Sequence, residues 1–148
     1  MKQKIRRYGA SDLEAVLSAW ENASKVAHRF LTEAFIASEK HNIANLYMPN
    51  VNSWVAENQH RVIGFISMVD EKEVGRLFVQ PEFHGMGFGR ALMDTVQEIY
   101  GGLELEVFEA NMIGRKFYAH YGFELVEQKT DEETGNSMLR LKFTADRA

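Results

Sequence analysis

Hydrophobic positions along the chain follow two different periods, and these separate expected strands from expected helices. Short apolar runs rich in Val, Ile, Phe and Trp predict strands at residues 3–8, 53–57, 61–69, 74–79, 103–108, 123–128 and 137–143. Apolar residues three or four positions apart predict helical segments within residues 11–48, after the glycines near residue 89 as far as residue 100, and at residues 111–120. The predicted order is strand, helices, three strands, helix, strand, helix and two strands.

Capping residues set the expected limits of the first helices. Ser11 is the predicted N-cap of the first helix, with Glu14 completing a capping box. Residues 25–31 interrupt the helical pattern, and Thr32 is the predicted cap of a second helix that runs toward Tyr47. Residues 11–48 should therefore form two or three helical pieces.

Turn signals connect the strands in the middle and at the end of the chain. Residues 58–60 predict a tight hairpin turn and residues 70–72 a polar turn, so three neighbouring antiparallel strands are expected. Residues 129–136 predict a polar loop inside a closing hairpin.

Composition limits the class of protein. A chain of 148 residues with 45% hydrophobic content predicts one domain over residues 1–148 with a core of its own. The absence of cysteine excludes disulfides, thiolate metal sites and a thiol nucleophile. A net charge of −4 argues against nucleic-acid binding, and the lack of a long apolar run argues against a membrane span or a signal peptide. We expect a cytoplasmic protein.

Residues 73–100 contain the strongest functional signal. A β-prone strand is ended by Pro81, and Gly85, Gly87 and Gly89 then lead into a helix. Glycines let the backbone approach a ligand, and the free N–H groups at a helix N-terminus favour phosphate oxygens. The pattern predicts an anion-binding loop, with a plain strand-to-helix turn as the alternative.

The glycine spacing excludes two familiar nucleotide-binding motifs. A P-loop needs Gly-Lys-Ser/Thr at the start of the helix, whereas Gly89 is followed by Arg90. A dinucleotide fingerprint needs a third glycine or alanine five positions after the first, but counting from Gly85 reaches Arg90 and counting from Gly87 reaches Leu92. A nucleotide-binding protein is therefore disfavoured.

The same stretch resembles the acetyl-CoA signature of the GCN5-related N-acetyltransferases, the GNAT superfamily. In that family a strand ending in V-x-P is followed by Q/R-x-x-G-x-G/A. The matching residues are Val79-Gln80-Pro81 and His84-Gly85-Met86-Gly87-Phe88-Gly89. His84 stands where the family usually has Gln or Arg, and we expect it to adjust cofactor affinity without abolishing it.

A second resemblance lies in the C-terminal half. The family often carries N-x-x-A-x-x-F-Y-x-x-x-G-F. The matching residues are Asn111, Phe117, Tyr118, Gly122 and Phe123, with Gly114 in place of the alanine. The two motifs and the element order together imply the GNAT fold, an α/β (α+β) domain with a mixed, mostly antiparallel sheet of six or seven strands flanked by about four helices.

The resemblance implies a site for acetyl-CoA. It places the pyrophosphate over N–H groups of residues 85–90 and the pantetheine arm along the backbone of Phe78 and Val79. Asn111 often bonds the cofactor arm in the family, although an Asn before a helix is also an ordinary N-cap. The implied cofactor-binding residues are Phe78, Val79, His84, Gly85, Met86, Gly87, Phe88, Gly89, Arg90, Asn111 and Tyr118.

Three residues have expected catalytic roles. Val79 offers a backbone N–H for the thioester oxygen, because a bulge supplies this donor in the family and Pro81 ends the strand just beyond. Tyr118 holds the position of the family's general acid, with core packing as the alternative. Glu73 is the candidate base, with a solvated surface carboxylate and a water chain as alternatives.

Acceptor recognition is expected outside the two motifs. His28 and Phe30, together with Trp20, lie where the family's helical segment covers the acceptor pocket, and a helix-end histidine with local hydrogen bonds is the alternative for His28. His41, His60 and His120 lack metal-ligand spacing, so no metal is expected.

The predicted function is transfer of an acetyl group from acetyl-CoA directly to a primary amine within a ternary complex. The acceptor is a protein, a peptide or a small molecule, and the protein is expected to be a monomer or homodimer. The rival function is a non-catalytic acyl-CoA-binding sensor or interaction module.

Overall fold

Over residues 3–145, which the structure describes, the computed structural model has seven strands and four helices of ten or more residues. The elements are β1 Lys4–Arg7, α1 Leu13–Ala27, α2 Glu33–Asn42, β2 Asn52–Asn58, β3 Arg61–Met68, β4 Val74–Val79, α3 Phe88–Tyr100, β5 Leu103–Phe108, α4 Met112–Tyr121, β6 Glu124–Thr130 and β7 Ser137–Phe143. Short helical turns lie at Ala10–Asp12, Ile43–Tyr47, Met48–Asn50 and Pro81–Phe83. The predicted α/β class and element order are confirmed.

The strands form two antiparallel sheets, one with the order β1-β2-β3-β4 and the other with the order β5-β7-β6. The sheets meet at a parallel bridge between Glu73 and Glu104, just before β4 and near the start of β5. The predicted sheet of six or seven strands is thus divided in two, and the edge of β4 that faces β5 is not paired by a strand along Val74–Val79.

The β2–β3 hairpin closes as predicted. Gln59 and His60 both adopt left-handed backbone angles, with φ of 51° and 68°. A two-residue turn with both φ values positive matches the right-handed twist of the strands that it connects. The hairpin thereby sets the register of β3, on which β4 is built.

The core lies on both faces of the first sheet. On one face α3 packs Leu92 and Val96 against a cluster that includes Ile66. On the other face α1 packs Val16 against a cluster that includes Phe65. Consecutive residues of β3 therefore face different helices, because successive side chains of a strand point to opposite faces. This two-sided packing fixes β4 between α1 and α3.

The start of the first helix differs from the prediction. Ser11 is not the N-cap: α1 begins at Leu13, after a 3-10 turn. In that turn the carboxylate of Asp12 accepts from the N–H of Gly9 at 2.8 Å and from Arg6 at 2.9 Å. A buried acidic side chain with a partly exposed arginine partner therefore closes this turn, where a hydroxyl cap was expected.

Two other boundaries also differ. The predicted interruption within residues 25–31 is confirmed, but it begins at His28, because α1 continues to Ala27. β6 continues to Thr130, so the expected loop from residue 129 is shorter. The predicted cap at Thr32 is confirmed, since its Oγ1 accepts from the N–H of Phe35 at 3.1 Å.

Candidate active site

The end of β4 directs backbone groups into the gap between the two sheets. Val79 lies opposite Gly64 of β3, and the N–H of Gln80 donates to Ile63 at 2.8 Å. In an antiparallel ladder this bond marks Val79 and Gly64 as a non-hydrogen-bonded pair, so the N–H and carbonyl of Val79 point away from β3. The Nε2–H of His84 donates to that carbonyl at 2.9 Å. The Val79 N–H thus faces the gap.

The register corrects two expectations about this strand. By the same alternation Leu77 also turns its N–H and carbonyl to the gap, whereas Phe78 turns its own toward Phe65 of β3. The backbone groups of Phe78 are therefore used within the sheet, whereas those of Leu77 are open to the gap. The β-bulge is not beside Val79 but at Gly75, where the pairing shifts.

The glycine loop contains two glycines with left-handed backbone angles. Gly85 and Gly87 have φ of 80° and 90°, which L side chains adopt only with strain. Gly87 is the N-cap of α3, and the first helical bond runs from the N–H of Ala91 to Gly87 at 3.0 Å. The N–H groups of residues 88–90 precede that bond and have no partner within the helix.

The third glycine is needed for packing. Gly89 is in the helix, and a Cβ built on it would lie 3.3 Å from the ring of Phe117 on α4. Close approach of α3 and α4 therefore explains Gly89, whereas backbone conformation explains Gly85 and Gly87. A plain turn before a helix leaves the same N–H groups open, so the observation that favours a ligand site is the cavity that adjoins the loop.

The glycine-loop cavity lies between this loop, β4 and α4 and has a volume of about 440 Å³. Its walls are formed by Leu77, Val79, Phe83, His84, Gly85, Gly87, Gly89, Arg90, Ile113, Gly114, Phe117, Tyr118 and His120. Four predicted cofactor residues are not in its walls, and two of these, Phe78 and Asn111, line the neighbouring cavity instead. The side chain of Met86 is exposed, and that of Phe88 is buried in the core, so each can contribute only its backbone.

The aromatic cavity, of about 300 Å³, lies on the other side of β4 beneath α1 and α2. Its apolar walls are formed mainly by Trp20, His28, Phe35, Phe78, Phe108 and Tyr118. It shares Leu77, Val79, His84, Ile113, Gly114 and Tyr118 with the glycine-loop cavity. The two cavities therefore adjoin at the end of β4.

Tyr118 lies at the junction of the two cavities. Its ring packs against Phe117 and Phe123, with centroids 5.5 and 5.6 Å away. Burial raises the pKa of Tyr118 to about 12, so its phenol stays protonated at neutral pH. The packing alternative and the acid role are thus compatible: the ring is held by core aromatics and carries a protonated hydroxyl.

His28 is a buried wall of the aromatic cavity. Its ring makes edge contacts with Phe78 and Phe108, at centroid distances of 6.2 and 5.2 Å, and with Phe30 at 5.9 Å. Burial lowers the pKa of His28 to about 4, with a smaller contribution from the charge of Arg76. The imidazole is therefore neutral at physiological pH. Phe30 itself supports His28 from outside the cavity walls.

Asn111 combines two roles. Its Oδ1 caps α4 by accepting from the N–H of Gly114 at 2.9 Å, which confirms the N-cap reading. Its Nδ2 lies 3.1 Å from Nε2 of His28, a contact that sequence reasoning missed. The buried amide therefore links α4 to the end of α1, while it also lines the aromatic cavity.

Glu73, the predicted base, is placed elsewhere. It is not in the walls of either cavity. Both of its carboxylate oxygens accept from Arg140, at 2.6 and 3.3 Å. These contacts favour a structural ion pair, and the base role of Glu73 stays a prediction.

Two residues of β4 and its end were missed. Arg76 lines the aromatic cavity, lies over the ring of Tyr47 at 4.5 Å and places Nη2 3.5 Å from Glu39. Gln80, the middle residue of V-x-P, is buried and bonds Ser18 and Asn22 of α1 at 3.1 and 2.9 Å. The only signal for Gln80 in the sequence was its position next to a strand-ending proline.

Comparison with known proteins identifies the class of protein. Residues 49–125, more than half of the chain, match the model of the acetyltransferase (GNAT) domain. The chain is 30% identical over 130 residues to the peptidyl-lysine N-acetyltransferase YiaC of Escherichia coli, covering 88% of this chain and 89% of that protein.

Solved structures share the fold. Apo YjaB from Escherichia coli superposes with a TM-score of 0.87 at 23% identity, covering 99% of this chain and 100% of that one. The PaiA N-acetyltransferase of Thermoplasma acidophilum in complex with coenzyme A gives a TM-score of 0.77 at 23% identity, covering 97% and 100%.

The chain therefore belongs to the GNAT acetyltransferase family, and it is an acyltransferase. The predicted family and fold are confirmed. In residues 3–145 no cluster of His, Asp and Glu has the arrangement of a metal site. Within the same residues, none of the helices has the length and apolar character that a membrane crossing requires.

Proposed function

We propose that the protein is a peptidyl-lysine N-acetyltransferase with acetyl-CoA as the donor. The observation that carries this proposal is the position of Tyr118, a protonated phenol that lines both the glycine-loop cavity and the aromatic cavity. A donor bound on one side and an amine bound on the other would meet beside it. The acetyl acceptor follows from the activity that the curated relative YiaC carries in its name.

The residues present fit acetyl-CoA. Open N–H groups at residues 88–90 suit the pyrophosphate, and the positive end of the α3 dipole adds to their attraction. The unpaired edge of β4 offers backbone groups of Leu77 and Val79 to the pantetheine amides. When bound, acetyl-CoA supplies an acetyl thioester activated toward amines.

Three groups of the chain would then act during transfer. The N–H of Val79 donates toward the carbonyl oxygen on which negative charge develops. The hydroxyl of Tyr118 gives its proton to the sulfur that leaves as the carbon–sulfur bond breaks. The amine must lose a proton as its nitrogen bonds the acetyl carbon, and either Glu73 or a water chain is the predicted acceptor of that proton. Transfer is direct, without an acetylated side chain.

The aromatic cavity suits the acceptor side chain. Its walls bring aromatic faces and a neutral histidine around a cavity of about 300 Å³. Aromatic faces attract ammonium groups and also pack against methylenes. A lysine side chain combines both features.

The test uses purified protein, acetyl-CoA and a peptide with a blocked N-terminus and one lysine. We expect release of CoA and an acetyl group on the lysine Nε, identified by fragment mass spectrometry. The same peptide with arginine in place of lysine should give no product. Binding of CoA by calorimetry without turnover on lysine peptides, free peptide N-termini or polyamines would contradict an enzymatic function and favour the sensor module.

Localisation and assembly stay predictions at this point. A cytoplasmic location and a monomeric or homodimeric state are consistent with acetylation of cellular proteins. Sedimentation with and without CoA would measure the assembly state directly.

A further inference from the structure

A buried hydrogen-bond relay connects the N-terminus of α4 to the end of α1. The backbone N–H of Gly114 donates to Oδ1 of Asn111 at 2.9 Å, and Nδ2 of Asn111 lies 3.1 Å from Nε2 of His28. Asn111 and His28 are each 8% exposed and 83 residues apart in the chain. Three groups from two distant segments are thus aligned inside the site.

The relay sets the protonation of His28. The Gly114 N–H can only donate, so it identifies the oxygen of the Asn111 amide and assigns the other atom as the NH₂ group. That NH₂ donates toward His28, so Nε2 must carry a lone pair. The ring proton is then on Nδ1. An imidazolium would bring its Nε2–H against the NH₂ of Asn111, which is unfavourable.

The surroundings of His28 reinforce the neutral state. Phe78 and Phe108 contact its ring from β4 and β5. The charged groups that line the same cavity come from four elements or turns: Arg76 from β4, Glu39 from α2, Glu106 from β5, and Asp131 and Glu133 from the turn after β6.

Within residues 3–145, none of these carboxylates forms an ion pair with His28, and three of them bond other groups. Glu39 lies 3.5 Å from Arg76, and Glu106 bonds Lys129 at 2.6 Å. Asp131 accepts from Thr134 within its own turn. Burial, with the charge of Arg76, lowers the pKa of His28 to about 4.

Gly114 makes the relay possible. A Cβ at this position would lie 2.6 Å from Nδ2 of Asn111, closer than real Cβ contacts allow. An alanine, which the family pattern has here, would push the amide away from His28. The absence of a side chain at Gly114 therefore leaves room for the Asn111 amide beside His28.

We infer that Asn111 is a positioning residue of the acceptor half of the site: it holds His28 as the neutral Nδ1–H tautomer, so that the wall formed by His28, Phe78 and Phe108 has no positive charge and receives a cationic alkyl amine. The tautomer follows from the structure of the protein alone, whereas the role toward the amine rests on the proposed function. An imidazolium in this wall would repel the ammonium group of the acceptor.

The first test measures the tautomer of His28 in the unmodified, ligand-free protein by ¹⁵N-¹H correlation NMR. We expect a protonated Nδ1, an unprotonated Nε2 and no titration of His28 between pH 6 and about 8. A protonated Nε2, or titration with an ordinary histidine pKa, would overturn the inference. This result does not depend on catalysis, so a failure of the proposed function would not affect it.

The Asn111→Asp variant provides the sharper comparison. An aspartate retains an oxygen for the Gly114 N–H, but it replaces the NH₂ with an acceptor that favours an imidazolium. We expect the pKa of His28 to rise above its ordinary value near 6.5. The matched control is Asn45→Asp, which makes the same change beside the exposed His41 and should leave His28 unchanged. An unaltered His28 in Asn111→Asp would overturn the inference.

Kinetics separate the acceptor role from a cofactor role. In Asn111→Asp the KM for a lysine peptide should be at least threefold higher below the raised pKa of His28 than above it, with the same apparent pKa as in the NMR titration. The KM for acetyl-CoA should stay within twofold, and a His28→Phe background should remove the pH dependence. A rise in the KM for acetyl-CoA alone would overturn the inference, because it would place Asn111 on the cofactor side.

Discussion

Arg140 of β7 donates to both carboxylate oxygens of Glu73, with 2.6 Å between Nη2 and Oε1 and 3.3 Å between Nη1 and Oε2. Glu73 immediately precedes β4 of the first sheet, and β7 is the central strand of the second. Arg140 also donates to Glu104, the partner of Glu73 in the bridge between the sheets, at 2.8 Å. The arginine thus joins the sheets where the gap between β4 and β5 begins.

The first prediction concerns this ion pair. Glu73→Gln should lower the free energy of unfolding by about 1 kcal/mol, because it removes charge-assisted hydrogen bonds at a partly exposed site. Arg140→Gln should lower it by more, because it also removes the bonds to Glu104 and Glu106. The double variant should cost less than the sum of the two. Urea unfolding of the three variants measures this coupling.

The same variants also decide the role of Glu73. If Glu73 acts only through the ion pair, Glu73→Gln should change kcat by a small factor that is no larger than the factor for Arg140→Gln. A loss of kcat that is more than tenfold greater in Glu73→Gln, together with a changed alkaline or acid limb of the pH profile, would instead identify Glu73 as the base.

The second prediction concerns acid stability at the start of α1. Hydrogen bonds from Arg6 lower the pKa of Asp12, with a further contribution from the N–H of Gly9. Since the folded pKa lies below the unfolded one, ionised Asp12 stabilises the protein above its unfolded pKa of about 4, and this stabilisation is lost as pH falls through the folded pKa. Asp12→Asn should lower the free energy of unfolding at neutral pH by about 1 to 2 kcal/mol.

The pH dependence provides the control for Asp12. Unfolding free energies of Asp12→Asn should depend less on pH in the acid range than those of the unmodified protein. Glu14→Gln removes the same charge from an exposed position two residues away and should leave the acid dependence as it is. Equal slopes for all three proteins would show that Asp12 does not contribute in this way.

The third prediction separates the ligand-binding role of a glycine from its backbone strain. Gly85 and Gly135 have φ of 80° and 76°, and a Cβ on either would meet nothing within 4 Å. Alanine at either position should cost about 1 kcal/mol of stability. Only Gly85→Ala should weaken CoA binding, by roughly tenfold, because it alters the loop that presents N–H groups to phosphate. Calorimetry with CoA compares them, and equal affinities would argue against the phosphate site.

The fourth prediction concerns Gly114. Alanine is the better helix former by about 1 kcal/mol, but its Cβ would displace the Asn111 side chain. The matched comparison is Ala119→Gly, at an exposed position of the same helix. We expect Gly114→Ala to raise the free energy of unfolding by less than Ala119→Gly lowers it. The KM of Gly114→Ala for the lysine peptide should rise several-fold. Thermal unfolding and steady-state kinetics measure both, and an unchanged KM would show that the position of Asn111 does not matter for the acceptor.

Local signals in the sequence were sufficient to predict the helices, the strands and the glycine loop. The strand periods, the cap at Thr32 and the order of elements could be predicted because each depends on residues that are neighbours in the sequence. The division into two sheets depends on side chains far apart in sequence, such as Glu73 and Arg140, and no period along the chain reports it. The bulge at Gly75 likewise depends on the register with β3.

The candidate site shows the same limit. Spacing and resemblance placed Val79 and Tyr118 in one site, and the structure brings both to the junction of the cavities. Only the strand register showed that Leu77, and not Phe78, turns its backbone groups toward the gap. The link from Asn111 to His28 required the packing of α4 against α1, and Gly114 gave the only local signal for it, as a departure from the family pattern.

The most direct test is the kcat of Tyr118→Phe with acetyl-CoA and the lysine peptide, measured beside the affinity for CoA. Loss of the proton donor should lower kcat on the order of a hundredfold, while the Kd for CoA stays within twofold, because the ring and its packing remain. Tyr121→Phe is the matched control, since that hydroxyl bonds Asp94 at 2.6 Å outside both cavities. A kcat for Tyr118→Phe equal to that of the unmodified enzyme would contradict the role of Tyr118 as the acid.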